Sequence, residues 1–319
     1  MVLVLMSCSL FFSEEAEPVP YVLVVHGGAG FLSPDTPPER QREYRDALTQ
    51  ALRAGEEVLS SGGASLDAVE AAIRLLEDSP LFNAGKGAVF TADGLNELDA
   101  SIMEGSSHQA GAVAGVRTVR HPITAAKAVM NESPHVMLAG RGAEAFAEEM
   151  GLELVDPEWF RTDESWQGYL KQVEKIMQDT AKFGTVGAVA LDRHGNLAAG
   201  TSTGGMSMKR YGRIGDSPVI GAGTWADNAT CAISCTGHGE YFIRYGAAHE
   251  VSARMEHRKW TMERAAGYVI NDLFRKIDAS GGLIGVDCYG NITMPFNTTS
   301  MFRGFVREGE DPEVLLFAE

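Results

Sequence analysis

From Tyr21 to Gly30 the chain reads YVLVVHGGAG, five apolar residues and a His before a glycine turn. That is the pattern of a buried strand. Helical spacing takes over across 39–59, where Ala47, Leu48, Ala51, Leu52 and Val58 recur and Gly62-Gly63 stop the run. Ser65 reads as the cap of a second amphipathic helix, LDAVEAAIRLLED. FNAGKGAVFTADGLNELDASIMEG and GAVAGVRTV read as short strands with glycine turns, and helices are predicted over 124–130 and 141–150. Residues 152–184 are polar and mixed, partly helical, and end in a loose exposed segment just before Thr185.

KFGTVGAVALD, at 182–192, then leaves no wet face. Val186, Ala188 and Ala190 on one side and Val189 and Leu191 on the other predict a strand covered on both. A DRHGN turn with Gly195 sends the chain back along 197–203, predicting a hairpin. Further strands fit 219–224, 230–235, 283–287 and 291–295, and long helices fit 239–256 and 261–278. There is no internal repeat. Strand runs and helix runs are segregated, which disfavours a doubly wound α/β fold and predicts two sheets with paired helices packed outside.

The 319 residues are 45% hydrophobic, enough to bury the core of one large domain or two small ones. Lys+Arg 27 against Asp+Glu 43 gives −16, a field that repels phosphate backbones and argues against nucleic-acid partners. Cys8, Cys231, Cys235 and Cys288 form no CxxC pair, and no HExxH occurs, so a zinc site has no support and reduced thiols are expected. MVLVLMSCSLFF is apolar but too short to span a membrane, and the first basic residue is Arg40, so a basic signal-peptide start is missing. A cytoplasmic, membrane-free protein is expected, or an exported one if residues 1–18 are the remnant of a signal peptide.

Three places hold candidate chemistry. Thr185 opens the buried strand, and the hairpin brings Thr203 of TSTGG back beside it. The pair reads equally as an ordinary cross-strand Thr–Thr contact. In GRIGDSP, Arg213 and Asp216 sit in a glycine-flanked loop. An Arg fork and a nearby carboxylate can hold the two charges of an α-amino acid, or simply each other. In SCTGHGE a strand ends in Thr236-Gly237 and a helix follows, a placement suited to oxyanion donors, with His238 read as a loop imidazole of no catalytic part. A Thr nucleophile lacks a base. If the Gly184–Thr185 bond is cut, the new α-amine of Thr185, with a reference pKa of about 7.7–8.0, can take the hydroxyl proton.

Taken with VHGGAG, PLFNAGKGAVF, GTVGAVALD, GRIGDSPVIGAGTWADN, GGLIGVD and PFNT before MFRG, these motifs resemble the plant-type (type 2) L-asparaginase and isoaspartyl peptidase family of N-terminal-nucleophile hydrolases. The resemblance runs from about Tyr21 to Arg303. It implies an α+β fold, a four-layer αββα sandwich, in a single domain over 19–319 behind the extension 1–18. It implies self-cleavage at Gly184–Thr185 into an α subunit 1–184 and a β subunit 185–319, assembled as (αβ)₂. It implies hydrolysis of L-asparagine and isoaspartyl dipeptides, with no cofactor for catalysis.

Carried over by position, Thr185 is the nucleophile and Thr203 supports it. Arg213 takes the substrate carboxylate, Asp216 and the Gly239 carbonyl take its ammonium, Thr236 and Gly237 form the oxyanion hole, and Asn83 lies near the nucleophile. The loop LEDSPLFNAGK resembles a sodium-binding loop, with carbonyls of Leu76, Glu77, Ser79, Phe82, Ala84 and Lys86 as donors. Two departures stand out: Phe183 replaces a frequent His before the Gly-Thr junction, and Trp225 replaces a more usual Tyr. Glycosylasparaginase of the same superfamily is one alternative, but its DT junction and TSTNG strand differ from GT and TSTGG here. A non-catalytic amino-acid-binding protein built on Arg213 and Asp216 is the other.

Overall fold

The computed structural model describes residues 19–30, 32–174 and 184–318. The extension 1–18, the stretch before Gly184 and Phe183 lie outside them. Eight strands form one sheet in the order β12-β11-β1-β5-β6-β2-β3-β4. They are β1 (Val22–Gly30), β2 (Leu98–Glu104), β3 (Ala110–Val116), β4 (Met137–Ala139), β5 (Val186–Leu191), β6 (Leu197–Thr203), β11 (Ser300–Arg307) and β12 (Glu313–Phe317). A second sheet has the order β10-β9-β8-β7, with β7 (Thr224–Ala226), β8 (Cys231–Gly237), β9 (Gly281–Asp287) and β10 (Ile292–Thr293).

The layers follow from where the apolar residues go. Helices α1 (Pro38–Ser60), α2 (Ser65–Asp78), α3 (Pro122–Glu132) and α4 (Gly140–Glu149) cover the outer face of the large sheet; α5 (Asp163–Glu174) buries no residue fully. Helices α6 (Gly239–Tyr245), α7 (Ala247–Arg258), α8 (Met262–Gly267) and α9 (Phe274–Lys276) pack on the small sheet, the last two joined by a π-helical turn over Tyr268–Leu273. A third apolar cluster fills the space between the sheets, with Val24, Val189, Leu191 and Leu197 facing Ala232, Ile284 and Val286. Three cores between four layers make the expected αββα sandwich. In β5, Val186, Ala188 and Ala190 join the helix-side core while Val189 and Leu191 join the inter-sheet core, which is why the strand has no polar face. Among the described residues no helix is long and apolar enough to cross a membrane.

The hairpin forms in the expected register, Leu191 opposite Leu197 and Val186 opposite Ser202, turning at Gly195 with φ +78°. Three local expectations need correction. Ser65 is not a side-chain cap: it is the first residue of α2, and its N–H is taken by the Asp192 carboxylate from the hairpin turn at 3.0 Å. Residues 219–223 form a turn rather than a strand, with an isolated bridge between Ile220 and Thr224, and β7 begins at Thr224. The helix over 239–256 is two helices, broken at Gly246 with φ +55°. The last two corrections share a cause. The carbonyls of Gly221 and Ala222 accept from the N–H groups of His249 and Ala248, so the turn satisfies the open first turn of α7.

Candidate active site

Thr185 and Thr203 meet at the open end of the hairpin, their hydroxyl oxygens 3.1 Å apart, with 6% and 2% exposure. Thr185 Oγ1 also lies 2.7 Å from the Gly184 carbonyl, which accepts from Thr203 Oγ1 at 3.0 Å and from Asn83 Nδ2 at 2.8 Å. The carbonyl of the Gly184–Thr185 bond therefore sits among three hydrogen-bond donors. Asn83 is held in turn: Nδ2 reaches the Gly205 carbonyl at 2.7 Å, and Oδ1 accepts from Val89 N–H at 2.9 Å. Thr203 Oγ1 accepts from Gly205 N–H at 2.9 Å, which leaves its proton for the Gly184 side. A bulge between His26 and Gly28 of β1 brings backbone against the nucleophile. Gly28 has φ +111°, and a Cβ there would stand 3.1 Å from Thr185 N, so this approach needs glycine.

Facing this neutral group is a charged one. Thr185, Thr203, Gly184, Gly237, Arg213 and Asp216 line one narrow cavity. Asp216 is 5% exposed, and its Oδ2 has no hydrogen-bond partner among the described residues. Burial pushes its carboxyl up to about 7 despite the neighbouring Arg213. Arg213 is gripped bidentately by Glu240, Nε and Nη2 each at 2.9 Å. Burial raises the Glu240 carboxyl, but the Arg213 guanidinium outweighs it and holds the group below the usual range. His238 Nε2 lies 3.1 Å from Glu240 Oε2, so His238 edges the clamp and does not face the nucleophile through any contact described. Gly239 packs against both clamp residues: a Cβ there would be 2.7 Å from Asp216 Oδ1 and 2.8 Å from Arg213 Nη2.

Thr236 lies at the end of β8, fully buried, and its hydroxyl oxygen accepts from Ala29 N–H at 3.2 Å. That occupies a lone pair and frees the proton to be donated. Gly237 has φ +148°, and a Cβ would meet Ser280 O at 2.5 Å, so only glycine lets the strand turn here.

The six expected carbonyl donors lie apart from this cleft, at the end of α2. Their loop closes on itself through two glycines: a Cβ on Gly85 would stand 2.2 Å from Glu77 O, and one on Gly87 2.1 Å from Phe82 O. The Glu77 side chain turns inward, to Ser202 Oγ at 2.6 Å and Ile123 N–H at 3.0 Å, with its carboxyl pushed up to about 8 by burial. Only its backbone carbonyl is left for the loop, where the Leu76, Phe82 and Ala84 carbonyls each already accept one backbone N–H.

Glu240 and Asp192 were not singled out in the sequence. A Glu one residue after His238-Gly239 could have been paired with Arg213 by charge alone. Asp192 had no such cue, because its partner Ser65 is far away in the chain.

Comparison with known proteins shows the family of the chain. The family described as Asparaginase matches residues 19–316. Isoaspartyl peptidase of Salmonella typhimurium is 45% identical over 309 residues, covering 93% of this chain and 99% of that protein. A probable isoaspartyl peptidase/L-asparaginase 2 of Arabidopsis thaliana is 42% identical over 326 residues, at 93% and 99% coverage. The mouse isoaspartyl peptidase/L-asparaginase is 41% identical over 296 residues, at 92% and 90%.

Proposed function

This chain belongs to the asparaginase family, and on that premise we propose that it is a self-processing threonine amidohydrolase acting on isoaspartyl dipeptides and on the side-chain amide of L-asparagine. The observation that carries the reading is the Gly184 carbonyl, held by Asn83 and Thr203 with the Thr185 hydroxyl 2.7 Å away. Oγ of Thr185 adds to that carbonyl carbon, Asn83 and Thr203 stabilise the oxyanion, and the C–N bond breaks as the hydroxyl proton passes to the Thr185 nitrogen, giving an ester. Water then releases residues 1–184 and leaves Thr185 with a free α-amine. Phe183, beside this bond, replaces the His of many relatives.

In the mature enzyme that amine is the base. Arg213 binds the substrate α-carboxylate beside Glu240, and the unpartnered Asp216 oxygen, with the Gly239 carbonyl, receives the α-ammonium. The Thr185 hydroxyl adds to the β-carbonyl carbon while its proton passes to the amine. Thr236 Oγ–H and Gly237 N–H take the developing oxyanion. Collapse expels ammonia or the leaving amino acid, which carries away the proton, and water hydrolyses the β-aspartyl ester to aspartate. Thr203 orients the nucleophile throughout.

The carbonyls of Leu76, Glu77, Ser79, Phe82, Ala84 and Lys86 would hold a structural sodium ion, which would stiffen the loop carrying Asn83. Two cleaved chains assemble as (αβ)₂; the exposed apolar side chains of Tyr211 and Ile214, on either side of Arg213 in the chain, suit an interface. The free thiols Cys231, Cys235 and Cys288 fit a reducing, cytoplasmic compartment.

Glycosylasparaginase is disfavoured by a specific contact. Its motif needs Asn at the position of Gly204, where a Cβ would lie 2.6 Å from Asn83 Oδ1. A denaturing gel tests the main reading. Wild-type protein should resolve into pieces of 184 and 135 residues, release ammonia from asparagine and cleave β-aspartyl dipeptides. Thr185→Ala should stay whole and inactive. An intact, fully active wild-type chain would overturn it.

A further inference from the structure

A line of buried hydroxyls crosses the space between the sheets. The carbonyl of Thr185 lies 3.0 Å from His26 Nδ1, and His26 Nε2 lies 2.9 Å from Ser234 Oγ. Ser234 Oγ meets Thr201 Oγ1 at 2.7 Å, Thr201 meets Thr224 Oγ1 at 2.7 Å, and Thr224 meets Ser101 Oγ at 2.8 Å. All five side chains are 0% exposed. They come alternately from the two sheets: β1, β8, β6, β7, β2. Gly187 makes room, since a Cβ there would stand 2.0 Å from Ser234 Oγ and 2.4 Å from His26 Nε2.

The proton directions are forced from the nucleophile end. A carbonyl only accepts, so His26 donates from Nδ1. Burial pushes His26 down to about 3, so the imidazole is neutral and Nε2 accepts from Ser234. With its own proton used, Ser234 accepts from Thr201 and Thr201 from Thr224, while the single Ser101 proton is shared between Thr224 Oγ1 and the Ser217 carbonyl. From Thr224 inward every donor points toward Thr185, and aligned bonds of this kind polarise one another. The far end is tied to the substrate clamp. Ser101 Oγ lies 2.6 Å from the carbonyl of Ser217, the residue after Asp216, and Thr201 Oγ1, its proton already given to Ser234, packs 3.2 Å from the Gly223 carbonyl. Gly223 packs against Asp216, where a Cβ would be 2.6 Å from the Asp216 carbonyl.

We propose that His26, Ser234, Thr201, Thr224 and Ser101 are positioning residues that register the two sheets, holding the nucleophile of one against the oxyanion donors and clamp carried by the other. Apolar packing between sheets is non-directional and tolerates small slips; a hydrogen-bond chain does not. The carbonyl it grips belongs to Thr185 itself, so the anchor survives the cut at Gly184. The inference rests on Thr185 being the reacting group.

The test compares Thr201→Val, Ser234→Ala, their double variant and Thr201→Ser in processed protein, reading kcat and KM on asparagine. Both single variants should lose about tenfold or more in kcat with KM within about twofold, and Thr201→Ser should regain most of it. The double variant should be no worse than the more damaged single, because one broken link already cuts the chain. Normal kcat in either single variant overturns the proposal, as does a double loss equal to the product of the single ones. If Thr201→Val does not fold, Ser234→Ala decides. An inactive wild type would instead refute the hydrolase reading itself.

Discussion

On one side of the cleft the polar groups are neutral: Thr185, Thr203 and Asn83 meet around a peptide carbonyl, with their contacts satisfied within the chain. On the other side they are ionisable: Arg213 shares its charge with Glu240, His238 leans on Glu240, and Asp216 keeps an oxygen without a hydrogen-bond partner among the described residues. Neutral hydroxyls and amides cost little to bury once each is hydrogen-bonded, so that half is preformed. A buried carboxyl whose neighbouring guanidinium is already paired with Glu240 is expensive, and its raised pKa records the cost of burial. On the function proposed above, the first half reacts and the second receives a zwitterion. Lesions in the neutral half should therefore damage both self-cleavage and turnover, and lesions in the charged half turnover alone.

The largest effect should come from Thr203→Val. It removes a donor to the Gly184 carbonyl and the partner of the Thr185 hydroxyl, and losing such a donor costs about 10²–10³ in rate. A gel time course should show slowed cleavage, and the processed fraction should turn over more slowly by a similar factor. Normal self-cleavage would break the division between the halves.

Arg213→Ala comes next. A charge-assisted contact is worth roughly 1.5–3 kcal/mol, or about 10–100-fold in kcat/KM. Cleavage into two pieces should proceed at the wild-type rate, and a cleavage defect would show that the clamp also shapes the scissile bond.

The pH dependence sharpens the same contrast. Asp216 must be ionised to take an ammonium, and burial holds its carboxyl at about 7 in the free enzyme. Below that value it is protonated, so this group by itself should make kcat/KM fall about tenfold per pH unit under 7, added to the titration of the free-enzyme Thr185 amine. In the bound complex the substrate ammonium pulls the Asp216 pKa down, so the acidic limb of kcat should report the Thr185 amine instead. Self-cleavage, needing no clamp, should not follow the Asp216 limb, and a shared limb would join the two halves.

His238→Ala should be the mildest. Glu240 keeps both bonds to Arg213, so kcat/KM should stay within about twofold, with the acidic limb of kcat in place. If that limb vanishes, the imidazole is the base and the amine mechanism fails.

Much of this was legible in one dimension, because it rests on local rules. Period-two patterning and Gly195 predicted the hairpin, and a hairpin places its two ends together, so the Thr185–Thr203 pair followed from counting residues. Segregated strands and helices indicated two sheets with helices outside. The family motifs, each a short run with a fixed backbone shape, located the clamp and the oxyanion donors.

What escaped depends on partners distant in sequence. Residues 219–223 read as part of a strand but turn, because α7 needs the carbonyls of Gly221 and Ala222. The helix pattern across Gly246 breaks for the same reason. Strands β11 and β12 were not predicted, though β11 is the neighbour of β1 that completes the large sheet. Asp192 caps a helix 127 positions away, and His26 meets Ser234 across 208. Local propensity decides which residues can bend, pair or coil. Which hydroxyl meets which imidazole is decided only when two sheets close on each other, since a side chain's hydrogen-bond partner is set by packing and leaves no periodicity in the chain.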